Sequence, residues 1–196
     1  MNERRWEDGL PRQVTLEDGA TLELRRMTAD DRDPVLAFAR ALPEEDLLFL
    51  RVDLTDPAVV DDWIANLDSG HSTSVVAYDS NGLAGYATVH RNPARWTRRV
   101  GEIRVNVNPE YRGRGLGRIL TGEVFDIARA LGLRKLMANM TADQRGAQSA
   151  FRRLGFIAEA LLTDYVEDRS GEFRDLVIMS FDVDGHTEQV DDRVRI

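Results

Sequence analysis

The feature that most constrains this 196-residue chain is a strand-like pattern that empties into alternating glycines and then into a long amphipathic helix. The run reads Val105-Asn-Val-Asn-Pro-Glu-Tyr-Arg-Gly-Arg-Gly-Leu-Gly-Arg118. Glycines at 113, 115 and 117 let the backbone come close to a ligand, so that N–H groups converge on an anion at the N-terminus of the following helix, where the dipole also favours negative charge. Arg112, Arg114 and Arg118 add positive charge to a chain whose formal net charge is −8. The spacing of Ile119, Leu120, Val124, Ile127, Ala128 and Leu131 predicts a helix over 116–131, with Gly132 placed to end it. A solvated basic turn is the alternative that needs no ligand.

Two familiar glycine motifs do not fit. A Walker loop requires Gly-Lys-Ser/Thr, whereas Gly117 is followed by Arg118-Ile119, which offers nothing to grip Mg²⁺. A dinucleotide fingerprint requires G-x-G-x-x-G inside a parallel βαβ unit, whereas here the strand before the glycines closes an antiparallel meander.

The rest of the chain supplies that context. Two alternating runs around Asp18-Gly19 predict a hairpin over 14–26. Asp33-Pro34 reads as the cap and first residue of a helix with Val35, Leu36, Phe38, Ala39 and Leu42 inward; Pro43 opens a short one whose acidic first turn holds Glu44, Glu45 and Asp46. Asp56-Pro57 starts a third, with Val59, Val60, Trp63, Ile64 and Leu67 on one face. Residues 74–78, 85–91 and 100–107 predict a meander; 135–140 a strand, 144–154 a helix, and 156–165 with 173–183 a last hairpin. The expected order is ββααβββαβαββ: an α/β (α+β) fold with a mixed, mostly antiparallel sheet and helices on both faces. One domain is expected over 13–183, with a flexible N-terminal segment 1–12 and a C-terminal tail 184–196.

Composition narrows the function. An acidic chain of pI ≈ 5.0 argues against nucleic acid as a partner, and no apolar run approaches the ~18–20 residues that a membrane span needs. The cysteine count of 0 excludes thiol nucleophiles and zinc–cysteine sites, and with no signal-like N-terminus it points to the cytoplasm; no metal is expected. Lys135 is the single lysine among 26 basic residues, a bias we attribute to a GC-rich genome.

Arg112-x-x-Gly115-x-Gly117, behind a hydrophobic strand and Asn108-Pro109-Glu110-Tyr111, resembles the pyrophosphate loop of the GNAT superfamily of N-acetyltransferases. Strand 136–140, the helix ending Ala150-Phe-Arg-Arg-Leu-Gly-Phe156 and the last hairpin are similar to that family's second half. The opening hairpin is similar to the start of bacterial protein-lysine acetyltransferase domains. The resemblance implies a bacterial acetyl-CoA-dependent transferase acting on a small-molecule or protein amine by direct attack in a ternary complex, with a homodimer possible. The alternative is a catalytically degenerate acyl-CoA-binding or sensor module.

The resemblance also implies roles for residues. Arg112, Gly113, Arg114, Gly115, Leu116, Gly117 and Arg118 would hold the pyrophosphate. The backbone of Val105 and Val107 would pair with the pantetheine and polarise the thioester carbonyl. Glu102 is expected as the base that takes the amine proton, or as a structural ion-pair partner of Arg99 or Arg104; His90 is a second base candidate. The helix starts with Gln144 where the family commonly has asparagine, and Phe151 stands where many relatives have the tyrosine that protonates the departing thiolate. A water or Ser149 is the expected substitute.

Overall fold

A computed structural model describes residues 6–47, 50 and 52–185. Its elements are β1 (Arg12–Thr15), β2 (Thr21–Arg26), α1 (Arg32–Ala41), α2 (Glu44–Leu47), α3 (Pro57–Asp68), β3 (Ser72–Asp79), β4 (Gly82–Arg91), β5 (Val100–Val107), α4 (Leu116–Ala130), β6 (Lys135–Thr141), α5 (Arg145–Arg153), β7 (Ile157–Glu167) and β8 (Phe173–Asp182). Among the described residues the strands form one sheet in the order β1-β2-β3-β4-β5-β6-β8-β7. Every pairing is antiparallel except that of β5 with β6. This is the mixed sheet expected from the sequence, with the one-turn α2 between the two longer helices.

Two apolar layers hold it. On one face α4 buries Leu116, Leu120, Val124 and Ile127 against Val75, Ala87, Val89 and Ile103. On the other, α1 and α3 bury Val35, Phe38, Val60 and Trp63 against Val76 and Tyr86. Each such large side chain contributes about 1.5–3 kcal/mol on burial, and the sandwich satisfies the period-2 and period-3.6 patterns together. Asp56 caps α3 as expected, accepting from the Ala58 N–H at 2.9 Å.

The start of α1 differs from the sequence reading. The helix begins at Arg32, and the residue before it is Asp31, fully buried, rather than Asp33. The Asp31 carboxylate accepts from Arg25 at 2.6 and 2.8 Å, from the Tyr78 hydroxyl at 2.6 Å and from the Thr28 N–H at 2.8 Å. Burial pushes its pKa up, but these donors outweigh burial and hold it below the usual carboxylate range. Pro34 is accommodated in the first turn, where N–H groups have no intrahelical acceptor anyway.

At the N-terminal end, Trp6 and Leu10 pack against the α4-side core, and Glu7 pairs with Arg26 at 3.0 Å. Arg12 opens β1 opposite Leu24 and pairs with Glu123 of α4. Trp6, Glu7, Leu10 and Arg12 thus tie this end of the chain to the sheet and α4; 1–5 and 186–196 lie outside the described residues.

Candidate active site

The parallel pairing of β5 with β6 is short: Val100, Gly101 and Glu102 face Lys135, Leu136 and Met137, and there it stops. Beyond that point β5 follows β4 out to Val107↔Gly85, while β6 follows β8 out to Thr141↔Leu176. The strands part, leaving a cleft of about 500 Å³ whose lining includes Val105, Asn106, Met140, Gln144, Phe151 and Tyr165. The side chains of Val105 and Val107 pack against the α4-side core; Val105 also lines the cleft, and Val107 continues β5 beyond it.

The glycine loop lies at the end of β5. Asn108 caps a 3₁₀ turn over Pro109–Tyr111, and Gly113 and Gly115 take φ of 70° and 89° before α4 begins at Leu116. A Cβ at Gly117 would meet Val107 at 3.8 Å, an ordinary contact, whereas one at Gly115 would meet Glu17 Oε1 at 3.0 Å. Two of the three expected phosphate-binding arginines are already paired. Arg112 reaches Asp46 of α2 at 2.7 Å and the Val107 carbonyl at 3.2 Å. Arg114 pairs with Asp18 at 2.6 Å and lies over the Tyr111 ring, 5.0 Å from its centroid. Arg118 is exposed in the first turn of α4, without an ion pair among the described residues.

On the opposite face, below α3, lies a larger cavity of about 720 Å³. Period-2 alternation along β5 sends Glu102, Arg104 and Asn106 to its floor. Glu102 pairs with Arg104 at 2.8 Å, and the Asn106 amide donates to the Tyr86 hydroxyl at 2.7 Å. Burial pushes the Tyr86 phenol pKa far up, so that hydroxyl stays protonated. His90 lies directly across the strand pair from Glu102, its Nδ1 at 2.9 Å from the Ser72 hydroxyl. Trp63 and Asp62 come from α3, Arg91 from the end of β4 and Thr97 from the β4–β5 connection. Arg91 Nε and Thr97 Oγ1 are buried there without a hydrogen-bond partner among the described residues. The two cavities share Glu102, Arg104, Asn106 and Asn139, with Leu50 and Ile178 as apolar lining common to both.

Helix α5 separates its predicted residues. Phe151 lines the cleft, edge-on to Phe156 at 5.0 Å. Gln144 Oε1 accepts from the Thr141 N–H at 3.1 Å, strapping the end of β6 to the helix start. Ser149 stands on the outer face, exposed, bonded to Arg153 at 3.3 Å and lining neither cavity. Two residues of α-helix turn a side chain by about 200°, so Ser149 points away from the face that Phe151 occupies, and the structure does not bring it to Glu102 and His90. Sequence reading also passed over Asn106, Asn139 and Tyr165; for Asn106 the two-residue spacing from Glu102 was the available signal. Among the described residues no group of three or more His, Asp or Glu side chains is placed to hold a metal, and no helix is long and apolar enough to cross a membrane.

Residues 35–156 match the model of the acetyltransferase (GNAT) family. The chain is 34% identical over 90 residues to streptothricin acetyltransferase of Streptomyces lavendulae, covering 45% of this chain and 47% of that protein. It is 31% identical over 91 residues to the L-amino acid N-acyltransferase MnaT of Escherichia coli strain K12, covering 46% and 52%. The chain thus spans about half the length of these curated relatives. Its fold is shared with the acetyltransferase yncA of Salmonella typhimurium, solved with its cofactor acetyl-CoA, at a TM-score of 0.71, 23% identity, 85% of this chain and 96% of that one.

Proposed function

The chain belongs to the acetyltransferase (GNAT) family, and from that premise we propose that it moves the acetyl group of acetyl-CoA to a primary amine in a ternary complex. The observation that carries this reading is the meeting of two cavities along one strand: a cleft opened by the parting of β5 and β6 and a larger, partly open cavity on the α3 side, joined at Glu102, Arg104 and Asn106. One suits an extended thioester donor that ends at the glycine loop, the other its acceptor. Acetyl-CoA supplies the activated acyl group; the backbone of Val105 and Val107, beyond the end of the β5–β6 pairing, hydrogen-bonds its pantetheine arm and carbonyl, and Arg112, turning from the Val107 carbonyl, joins Arg118 and the 113–117 backbone in holding its pyrophosphate.

The amine must be neutral to attack. An amine of pKa ~10.4 loses its proton at a cost of roughly 4–5 kcal/mol at pH 7, a terminal α-amine of ~7.8 at about 1 kcal/mol. Glu102 accepts that proton from the floor of the acceptor cavity, directly or through water, and His90 beside it is the second route. Arg104, at 2.8 Å, both neutralises the carboxylate between turnovers and offers an anion contact next to it.

We favour a small-molecule acceptor, because the cavity falls in the ~300–1,000 Å³ range of small-ligand sites and its lining brings Asp62 and Glu102 together with Arg91 and Arg104. Both signs of charge with an apolar wall suit a zwitterionic amine, and one relative is named for L-amino acids. The test is release of coenzyme A thiol from acetyl-CoA with a panel of amino acids, their amides and polyamine antibiotics. Acceleration by any amine supports a transferase. Tight coenzyme A binding with none would favour the acyl-CoA-binding module that Phe151 leaves open.

A further inference from the structure

Acetyl transfer ends with a thiolate that takes a proton, and α5 offers none: Phe151 has no hydroxyl and Ser149 faces outward. The opposite wall of the cleft is built differently. β7 pairs with β8 at Leu162↔Leu176 and resumes at Val166↔Arg174, so residues 163–165 stand against Asp175 alone. Within this bulge Asp164 adopts φ 49°, the one positive value at a non-glycine residue among the described residues, and its N–H is held by Asp175 Oδ1 at 3.0 Å. A left-handed conformation at such a residue costs roughly 1–2 kcal/mol, and bulges of this kind re-aim a side chain. The side chain re-aimed here is Tyr165. It lines the same cleft as Phe151, Asn106 and Asn139, is 64% exposed, and its hydroxyl has no hydrogen bond among the described residues.

We propose that Tyr165 is the general acid of the reaction, supplying from β7 the hydroxyl that α5 lacks. This rests on the transferase reading. Glu102 takes the ammonium proton and passes it to solvent; the neutral nitrogen then bonds to the acetyl carbon and gives its second proton to the freed carboxylate, which sheds it to solvent in turn. As the carbon–sulfur bond breaks, the sulfur keeps its electron pair and takes the Tyr165 phenolic proton. The phenolate is reprotonated from solvent, which reaches this exposed ring. The sum is ammonium plus acetyl thioester giving amide, free thiol and one proton.

The test uses the whole chain with the best amine of the acceptor panel. Tyr165→Phe should lower kcat on the order of 100-fold, with the acceptor KM, coenzyme A affinity and melting temperature unchanged. Phe151→Tyr in that background should recover most of the loss, since it returns a hydroxyl to the same cleft from the other wall. An unchanged kcat in Tyr165→Phe, a rise in KM alone, or a loss that Phe151→Tyr does not repair overturns the role while leaving the transferase intact. Wild-type protein that acetylates no amine overturns both.

Discussion

Gly117 separates what the glycine loop does for the fold from what it does for a ligand. The space around it already accepts a Cβ, and its φ is not in the left-handed region, so Gly117→Ala should leave urea stability unchanged or raised by up to about 1 kcal/mol. Acetyl-CoA affinity measured by calorimetry should nonetheless drop at least tenfold, because the added methyl stands where the pyrophosphate must approach; equal affinity would remove the loop from the site. Glu102 is tested by pH. If it takes the amine proton, Glu102→Gln should slow transfer most below the acceptor's pKa and least above it, whereas a loss independent of pH would mean that the ion pair with Arg104 is its whole role. At this scale Glu102, His90 and the glycines stand out in the sequence as candidates because each sits in a local pattern. The sequence showed Ser149 in the wrong place because nearness in sequence was read without the helical turn that separates it from Phe151.

Helices α3 and α4 and the meander were readable from caps and periods, because those signals lie within a few residues of each other. The start of α1 was not, because it is fixed by Arg25 and Tyr78, six and 47 residues from Asp31. Asp31→Ala would leave that arginine and phenol without their shared acceptor, and should cost roughly 3–5 kcal/mol in chemical denaturation. The β7–β8 hairpin carries a second carboxylate anchor. Asp168 is pushed down to about 2 by the Ser170 hydroxyl, by the N–H groups of Glu172 and Ser170 and by Arg174. Its folded-state pKa lies below its unfolded value near ~3.9, so its stabilisation is full above about pH 4 and disappears as pH falls toward 2. Asp168→Asn should therefore be less stable than wild type at pH 7, and the two melting curves should converge as the pH is lowered from 4 to 2. A gap that stays constant through that window would mean the anchor does not depend on ionisation.

The pattern of the whole molecule, a sheet split beside a glycine loop, was legible because strand, glycines and helix are contiguous. What was hidden is that the loop's arginines are held by carboxylates distant in the chain: Arg114 by Asp18, 96 residues away, and Arg112 by Asp46, 66 residues away. In a protein of net charge −8 these pairs matter: if a polyanionic donor uses the loop's arginines, it competes with those carboxylates for them. The Arg112–Asp46 pair is half-exposed on the arginine side, so it contributes about 0.2–1 kcal/mol, and removing the carboxylate should tighten coenzyme A by between roughly 1.4- and 5-fold. Asp46→Asn is thus expected to bind better than wild type at low ionic strength, with the gain shrinking as salt screens the exposed pair. Arg112→Gln should bind worse, and in its background Asp46→Asn should have no effect, since the carboxylate would then have no arginine to withhold. An Asp46→Asn gain that persists without Arg112 would show that Asp46 acts through its charge on the ligand rather than through the pair. No gain in either background would mean that the donor binds without drawing Arg112 away from α2.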